Sequence, residues 1–286
     1  MSRDVKRMRT LEQQSRPNPF FIAILAIFLI IEAVPIYLVV VNLFKQSDAI
    51  RMNPFGFPVE FTLENLRYVL TDKYKNIWGL YLNSILITGG GTVISLIFSA
   101  MSAYYIARSP GKLSRFLFYY FMAALSVPVL LLYVPLAYLL RFTGLNKSGI
   151  PMMIAIYVSF NVSFGMYIYS GFIKKLPKEM EEAARIDGAS SFQVFIKVIL
   201  PLLKPATATI AIFVGCALWN DFLTPLLLGG GIETITTGIY SAIGNHTTDW
   251  ARVFAYVFMS SMPTVVFFLL SQKYFITGIA SGAVKG

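Results

Sequence analysis

The chain has 286 residues, of which 56% are hydrophobic, 15% aromatic and only 13% charged, against roughly 25% charged residues in soluble domains. A soluble globule has no interior large enough for that much apolar surface, and the formal charge of +10 comes without the basic helix, zinc-ligand spacing or aromatic-basic strip that reads nucleic acid. A single cysteine, Cys216, excludes an intramolecular disulfide and any multi-cysteine metal site, and within an apolar run it reads as a small packing residue.

Residues 1–19 form a polar tail carrying Arg3, Lys6, Arg7, Arg9 and Arg16, followed at 20–44 by the first apolar block, Phe20 to Phe44. The block is longer than the roughly 7–15 residues of a signal-peptide core and no small-residue cleavage pattern follows, so it reads as an uncleaved membrane helix. Glu32 lies near its middle, where a charge is expensive enough that the residue is expected to face the bundle and have a partner. Proton coupling is one reading of Glu32, and a hydrogen-bonded packing carboxyl is the favoured one. Residues 45–80 read as an outer loop, in which Thr62-Leu63-Glu64-Asn65-Leu66 has a threonine cap ahead of a helical pattern.

Residues 81–276 contain five further blocks long enough to cross a hydrocarbon layer of about 30 Å. These are Tyr81–Ala107, Phe116–Leu140, Pro151–Ile173, Pro205–Leu228 and Val253–Tyr274, with a terminal tail at 277–286. The expected fold is therefore all-α, a polytopic membrane protein of six transmembrane helices. With the N-terminus placed inside, the inner segments hold sixteen Lys and Arg and the outer ones eight, which assigns both termini to the cytoplasm and accounts for the excess positive charge. Pro35, Pro128, Pro135, Pro225 and Pro263 fall in or near the spans, where each is expected to bend its helix. Gly89-Gly90-Gly91 completes no dinucleotide pattern and reads as a site of close helix packing.

No nucleotide-cradling loop of the Gly-x-x-x-x-Gly-Lys-Ser/Thr kind is present, so the chain is not expected to bind ATP itself. No catalytic, cofactor-binding or metal-binding constellation stands out, and His246, the only histidine, reads as a solvated loop residue. The informative polar segment lies between the fourth and fifth spans, at about 178–190. There Pro177 opens a short helix, Glu179, Glu181 and Glu182 fall in its first turns where they complement the helix dipole, and Gly188 ends it. Charged flanks around a small Ala183-Ala184 face suit a helix that enters a groove on a partner protein.

Glu182-Ala183-Ala184, Gly188 and the following Val198-Ile199-Leu200-Pro201 resemble the EAA signature of importer permeases in the ATP-binding-cassette superfamily, specifically the carbohydrate branch of the maltose-permease type. Thr62 to Asn65, Leu82-Asn83-Ser84, Ala107-Arg108, Pro110-Gly111-Lys112, Asp249-Trp250, Pro263, Gly278 and the terminal Val284-Lys285-Gly286 stand in the matching order. The resemblance implies the type I importer permease fold, with a second homologous permease, two ATPase subunits that bind the ATP, and an extracytoplasmic solute-binding protein as partners. It also makes the short helix a coupling helix, with Glu179, Glu181, Glu182, Ala183, Ala184, Asp187 and Gly188 as its ATPase-coupling residues.

Two outer features complete the reading. Trp219, Asn220 and Asp221 offer a ring face, an amide and a carboxylate, as a sugar path requires, although Trp is equally an interface anchor. The connection from Gly231 to Trp250 is longer than a helix turn needs. Gly229-Gly230-Gly231 reads as its flexible base, Thr236, Thr237, Asn245 and His246 as contacts to a binding protein, and Asp249-Trp250 as its anchor. The alternative function is a secondary transporter or channel without ATPase partners, for which Glu32 and Asp221 are the supporting residues.

Overall fold

The computed structural model describes residues 18–71, 76–243 and 248–283, and every regular element in them is helical. Helix α1 (Pro19–Leu43) opens on Asn18, whose side chain accepts the Phe20 N–H at 3.0 Å, with Pro19 at the first helical position where its missing N–H is harmless. Short helices α2 (Ser47–Met52) and α3 (Glu64–Thr71) follow, the second held at its start by Thr62 Oγ1, which accepts the Glu64 N–H at 3.1 Å as the threonine cap predicts. The long α4 (Ile77–Arg108) leads to α5 (Lys112–Ser126), a 3-10 turn (Val129–Leu132) and α6 (Tyr133–Thr143). Then come α7 (Ile150–Ile173), the short α8 (Glu179–Ile186), α9 (Ser191–Leu202) and α10 (Lys204–Asn220). The chain closes with α11 (Leu223–Leu228), α12 (Ile235–Ala242) and α13 (Trp250–Ala283).

Four helices, α1, α4, α7 and α13, are individually long and apolar enough to span a membrane, and two bent pairs bring the number to six if each counts as one crossing. The first pair corrects the expected single helix Phe116–Leu140: α5 and Val129–Thr143 meet at 92°. Val127 takes an extended conformation (φ −85°, ψ 118°) because the ring of Pro128 excludes the helical one, and Pro128 has no N–H to continue the ladder. The second pair is α9 with α10, bent by 76°. The expected fifth span Pro205–Leu228 is likewise divided, since α10 stops at Asn220 and α11 begins at Leu223. By contrast Pro35 and Pro263 lie inside continuous helices, and α13 runs on through most of the segment expected to be a tail.

α4 is the centre of the bundle and packs on α5, α7, α10 and α12. Gly91, Ser95, Ser99 and Ala103, at successive four-residue steps, are all buried, and small side chains are what allow membrane helices to approach closely. A Cβ on Gly165 of α7 would stand 2.7 Å from Ser99 Cβ, and the Ser99 hydroxyl donates across the same seam to Val162 O at 3.1 Å. A Cβ on Gly91 would stand 2.7 Å from Leu218 of α10 and 3.4 Å from Tyr157 of α7, so three helices meet there. Close packing thus holds for Gly91 and for Gly90, whose Cβ would approach Ile154, while Gly89 faces open space.

α1 is the exception to this packing. Only Val41, Asn42 and Leu43 are buried, where its end meets α13, and the remainder presents an exposed apolar flank. Glu32 sits exposed on that flank and does not face a bundle as expected, because none of the described helices packs on the middle of α1. The tail up to residue 17 lies outside the described residues.

Candidate functional site

α8 is bounded on both sides by specific backbone chemistry. The N–H groups of Glu181 and Glu182 donate to Lys178 O at 2.9 and 3.0 Å, so the helix is nucleated at Lys178 and Pro177 lies just ahead of it. At the other end Ala189 N–H donates to Ala184 O and Gly188 N–H to Arg185 O, both at 3.0 Å, with Gly188 at φ +86°. This is the paired hydrogen-bond arrangement in which a left-handed residue closes a helix, and glycine takes that conformation without the penalty of a side chain. A Cβ on Gly188 would meet nothing within 4 Å among the described residues beyond its two chain neighbours.

The residues expected to face a partner divide into two sets. Glu179, Glu182, Ala183, Asp187 and Gly188 are exposed, and Ala184 is half-buried against the core. Glu181 is turned inward and only 3% exposed. Its Oε1 accepts from Arg108 Nε at 2.6 Å and its Oε2 from Tyr104 OH at 3.0 Å, while Arg108 Nη2 donates to Leu176 O at 3.0 Å. The last turn of α4 therefore holds α8 through a buried, charge-assisted pair. Two exposed apolar residues, Met180 and Ile186, join the outer set, Ile186 at 86% exposure. Neither follows the signature, and an isolated isoleucine among acids gives no sequence signal of its own.

Beyond Gly188 the chain is recaptured at once. Ser190 and Gln193 form a capping box that starts α9, Ser190 N–H donating to Gln193 Oε1 at 2.8 Å and Gln193 N–H to Ser190 Oγ at 3.3 Å. Within α9 the residues Phe195–Ile199 form a π-turn immediately before Pro201, which relieves the clash a proline imposes on the preceding turn. Phe195 packs its ring 5.3 Å from that of Tyr104. α8 is thus tied to α4 directly and to α10 through α9.

At the opposite end of α4, Trp219, Asn220 and Asp221 point in three directions. Trp219 donates from Nε1 to Ser260 O of α13 at 3.0 Å and lines a cavity of about 250 Å³ with Thr88, Cys216 and Thr264, whose buried hydroxyl has no hydrogen-bond partner among the described residues. Asn220 is exposed and donates back to Cys216 O at 2.8 Å. Asp221 does structural work: its Oδ1 accepts the N–H groups of Leu223 and Thr224 at 3.0 and 3.2 Å, and its Oδ2 is bonded to Tyr157 OH at 3.0 Å and to the Thr224 hydroxyl. A carboxylate that captures the N–H groups two and three residues on starts a new helix and ends the old one, which is why α10 stops here.

The described part of the connection from Gly231 to Trp250 carries a helix of its own. Thr234 and Thr237 form a capping box at the start of α12, and Ile235 is fully buried. Thr237 Oγ1 accepts Thr234 N–H at 2.8 Å, and Thr236 Oγ1 donates to Asp221 O at 2.8 Å, so both hydroxyls are engaged within the chain and do not project toward a partner as expected. Gly229-Gly230-Gly231 is a tight turn and not a flexible base: Gly230 (φ +61°) passes so close to Asn146 O that any side chain would collide. Asp249 pairs with Arg252 at 2.8 Å and accepts from Ser47 Oγ at 2.6 Å, contacts that hold the start of α13. Asn245 and His246 lie outside the described residues.

The family described as binding-protein-dependent transport system inner membrane component matches residues 95–275, which take in the end of α4 and all of α8. A probable starch degradation products transport system permease protein of Thermoanaerobacterium thermosulfurigenes is 33% identical over 254 residues, covering 88% of this chain and 91% of that protein. A diacetylchitobiose uptake system permease protein of Streptomyces coelicolor is 31% identical, covering 92% and 87%. A melibiose/raffinose/stachyose import permease protein of Bacillus subtilis is 35% identical, covering 80% and 83%. Among solved structures, a chain from a bacterial ABC transporter involved in the import of the acidic polysaccharide alginate matches with a TM-score of 0.75 at 23% identity, over 96% of this chain and 99% of that one, a likeness of fold.

Proposed function

Because this chain belongs to the family of binding-protein-dependent transport system inner membrane components, the permease subunits of ATP-binding-cassette importers, we propose that it carries a sugar or oligosaccharide and is driven through α8. The observation that carries the cargo class is that relatives matched along most of their length are named for starch products, diacetylchitobiose and raffinose-type sugars. The partners are a second homologous permease, two ATPase subunits that bind the ATP, and an extracytoplasmic solute-binding protein. Both termini and α8 face the cytoplasm, in keeping with the surplus of Lys and Arg on that side.

Closure of the ATPase dimer displaces the exposed Glu182, Ala183, Ile186 and Gly188 side of α8. The Glu181–Arg108 pair passes that displacement to α4, and the Ser190-capped α9 passes it to α10. These two helices touch at Gly91 and Leu218, so both inputs meet in the middle of the bundle. Movement of α10 then shifts the Asp221 turn and, through the Thr236–Asp221 bond, α12 on the outer face. ATP drives the cycle by binding one of the two conformations more tightly than the other. The solute passes Trp219 on its cavity side and the exposed Asn220 in turn, with Asp221 as a positioning residue, and the binding protein meets the segment containing Asn245 and His246.

Purifying the cognate binding protein and identifying its released ligand by mass spectrometry tests the cargo class. A mono- or oligosaccharide is expected. An amino acid, an inorganic anion or a metal chelate as the bound species would overturn the sugar reading while leaving the permease family intact.

A further inference from the structure

Beside α8, but outside the contacts that hold it, the end of α4, the first turns of α5 and the end of α7 enclose a concave pocket of about 440 Å³. Arg115, Lys174 and Lys178 line it and are exposed. Among the described residues no carboxylate comes within ion-pair distance of any of the three, whereas Arg108 at the rear is already committed to Glu181. The Lys174 ammonium stands 4.9 Å from the centre of the Phe118 ring, which fixes one cation over the pocket wall. Three uncompensated positive charges around one concavity repel one another, and an anion seated among them removes that repulsion. The start of α5 adds to the same field, since it has no acid in its first turn and no side-chain cap.

The pocket does not end at its charges. Leu113, Phe116, Tyr119 and Tyr120 of α5 are all exposed, and the rings of Phe116 and Tyr120 stack with centroids 6.3 Å apart. At spacings of three and four residues they form one apolar stripe that leaves the pocket along the outside of the helix. A soluble anion would use the cations and leave this stripe bare. A molecule with a phosphate head and hydrocarbon tails uses both.

We propose that this pocket binds the headgroup phosphate of an anionic phospholipid, with its acyl chains lying along α5, and so places a lipid against Lys178 at the entrance to α8. The proposal rests on the cytoplasmic orientation given above, because it assigns the lipid to the inner leaflet. A basic residue near an anionic surface contributes about 1 kcal/mol, so each charge removed should weaken retention about fivefold and two charges about 25-fold.

The complete transporter, with its ATPase subunits, can be purified from nanodiscs of phosphatidylcholine containing one fifth phosphatidylglycerol and read by native mass spectrometry. The wild type should retain phosphatidylglycerol, and Arg115→Gln/Lys174→Gln should lose it to the stated extent while Lys147→Gln, outside the pocket, does not. If the double variant fails to assemble, Lys174→Gln alone should show the fivefold loss. Equal retention by variant and wild type would overturn the proposal. So would release of the lipid by millimolar inorganic phosphate, which would mark a free-anion site, or loss of the ATPase subunit in place of lipid, which would mark a protein contact. Orientation is read separately with Lys112→Cys in a Cys216→Ala background: labelling by an impermeant maleimide from outside intact cells faults the topology and not the pocket, and protection combined with equal lipid retention faults the pocket alone.

Discussion

Glu181→Ala should abolish uptake while the permease remains in the membrane. Glu181 and Arg108 have side chains only 4% and 10% exposed, and truncating one partner leaves the other as an uncompensated buried charge, which costs about 3–5 kcal/mol. α8 has eight residues, too few to hold a helix in water without such support. The loss should therefore release α8 from α4 and leave the spanning helices, which pack through other residues, in place. Trypsin applied to the α8 side of membrane vesicles should cut after Lys178 and Arg185 much faster than in the wild type. Glu181→Gln keeps one acceptor oxygen, for Arg108, and puts an NH2 donor beside the Tyr104 hydroxyl where the carboxylate accepted, so it should fall between the two. Removing Arg108 as well should restore part of the protection, since the stranded charge is gone. Wild-type uptake by Glu181→Ala would show that the pair transmits nothing.

Gly188→Asp should give a folded permease that does not transport. A residue other than glycine at φ +86° costs roughly 1–2 kcal/mol, and aspartate is among the side chains that tolerate this conformation best. Among the described residues other than its two chain neighbours, no atom lies within 4 Å of the added Cβ, so none of them expels the side chain. Any larger effect must come from a surface that meets the permease here. With Asp187 adjacent and Glu182 on the same exposed side, a further negative charge should keep an ATPase subunit from seating. Gly188→Ala, which adds the strain without the charge, should retain far more uptake than Gly188→Asp, measured at matched protein levels. Equal loss in both variants would locate the effect in the helix end and not in the partner.

The sequence makes the membrane class, the apolar blocks and the position of α8 legible because each rests on local chemistry: runs of apolar residues, an acidic first turn, a glycine at the close. What it does not carry is rotation. Glu181 and Glu182 are neighbours in sequence, yet one faces α4 and the other the outside, and only the approach of Arg108, 73 residues away, decides which. The same limit applies to Asp221, whose carboxylate could face a cavity or capture backbone N–H groups. The tertiary position of Tyr157 and Thr224 selects the second. The break at Val127-Pro128 was expected as a bend, but its angle of 92° depends on what α5 and α6 pack against. Glu32 reads as an inward residue on the cost of burying charge, and it stands exposed because, among the described residues, α1 is buried only at its end.

The central claim is that the exposed side of α8 seats a separate ATPase subunit. Ile186, 86% exposed on that side, gives the most direct test when replaced by a photo-crosslinking phenylalanine analogue in the complete transporter. Illumination should join it to the ATPase subunit with a yield that changes when ATP is added, and the same analogue at Tyr240, exposed at the other end of the fold, should give no such adduct. An actively transporting complex in which position 186 never reaches the ATPase subunit would contradict the claim.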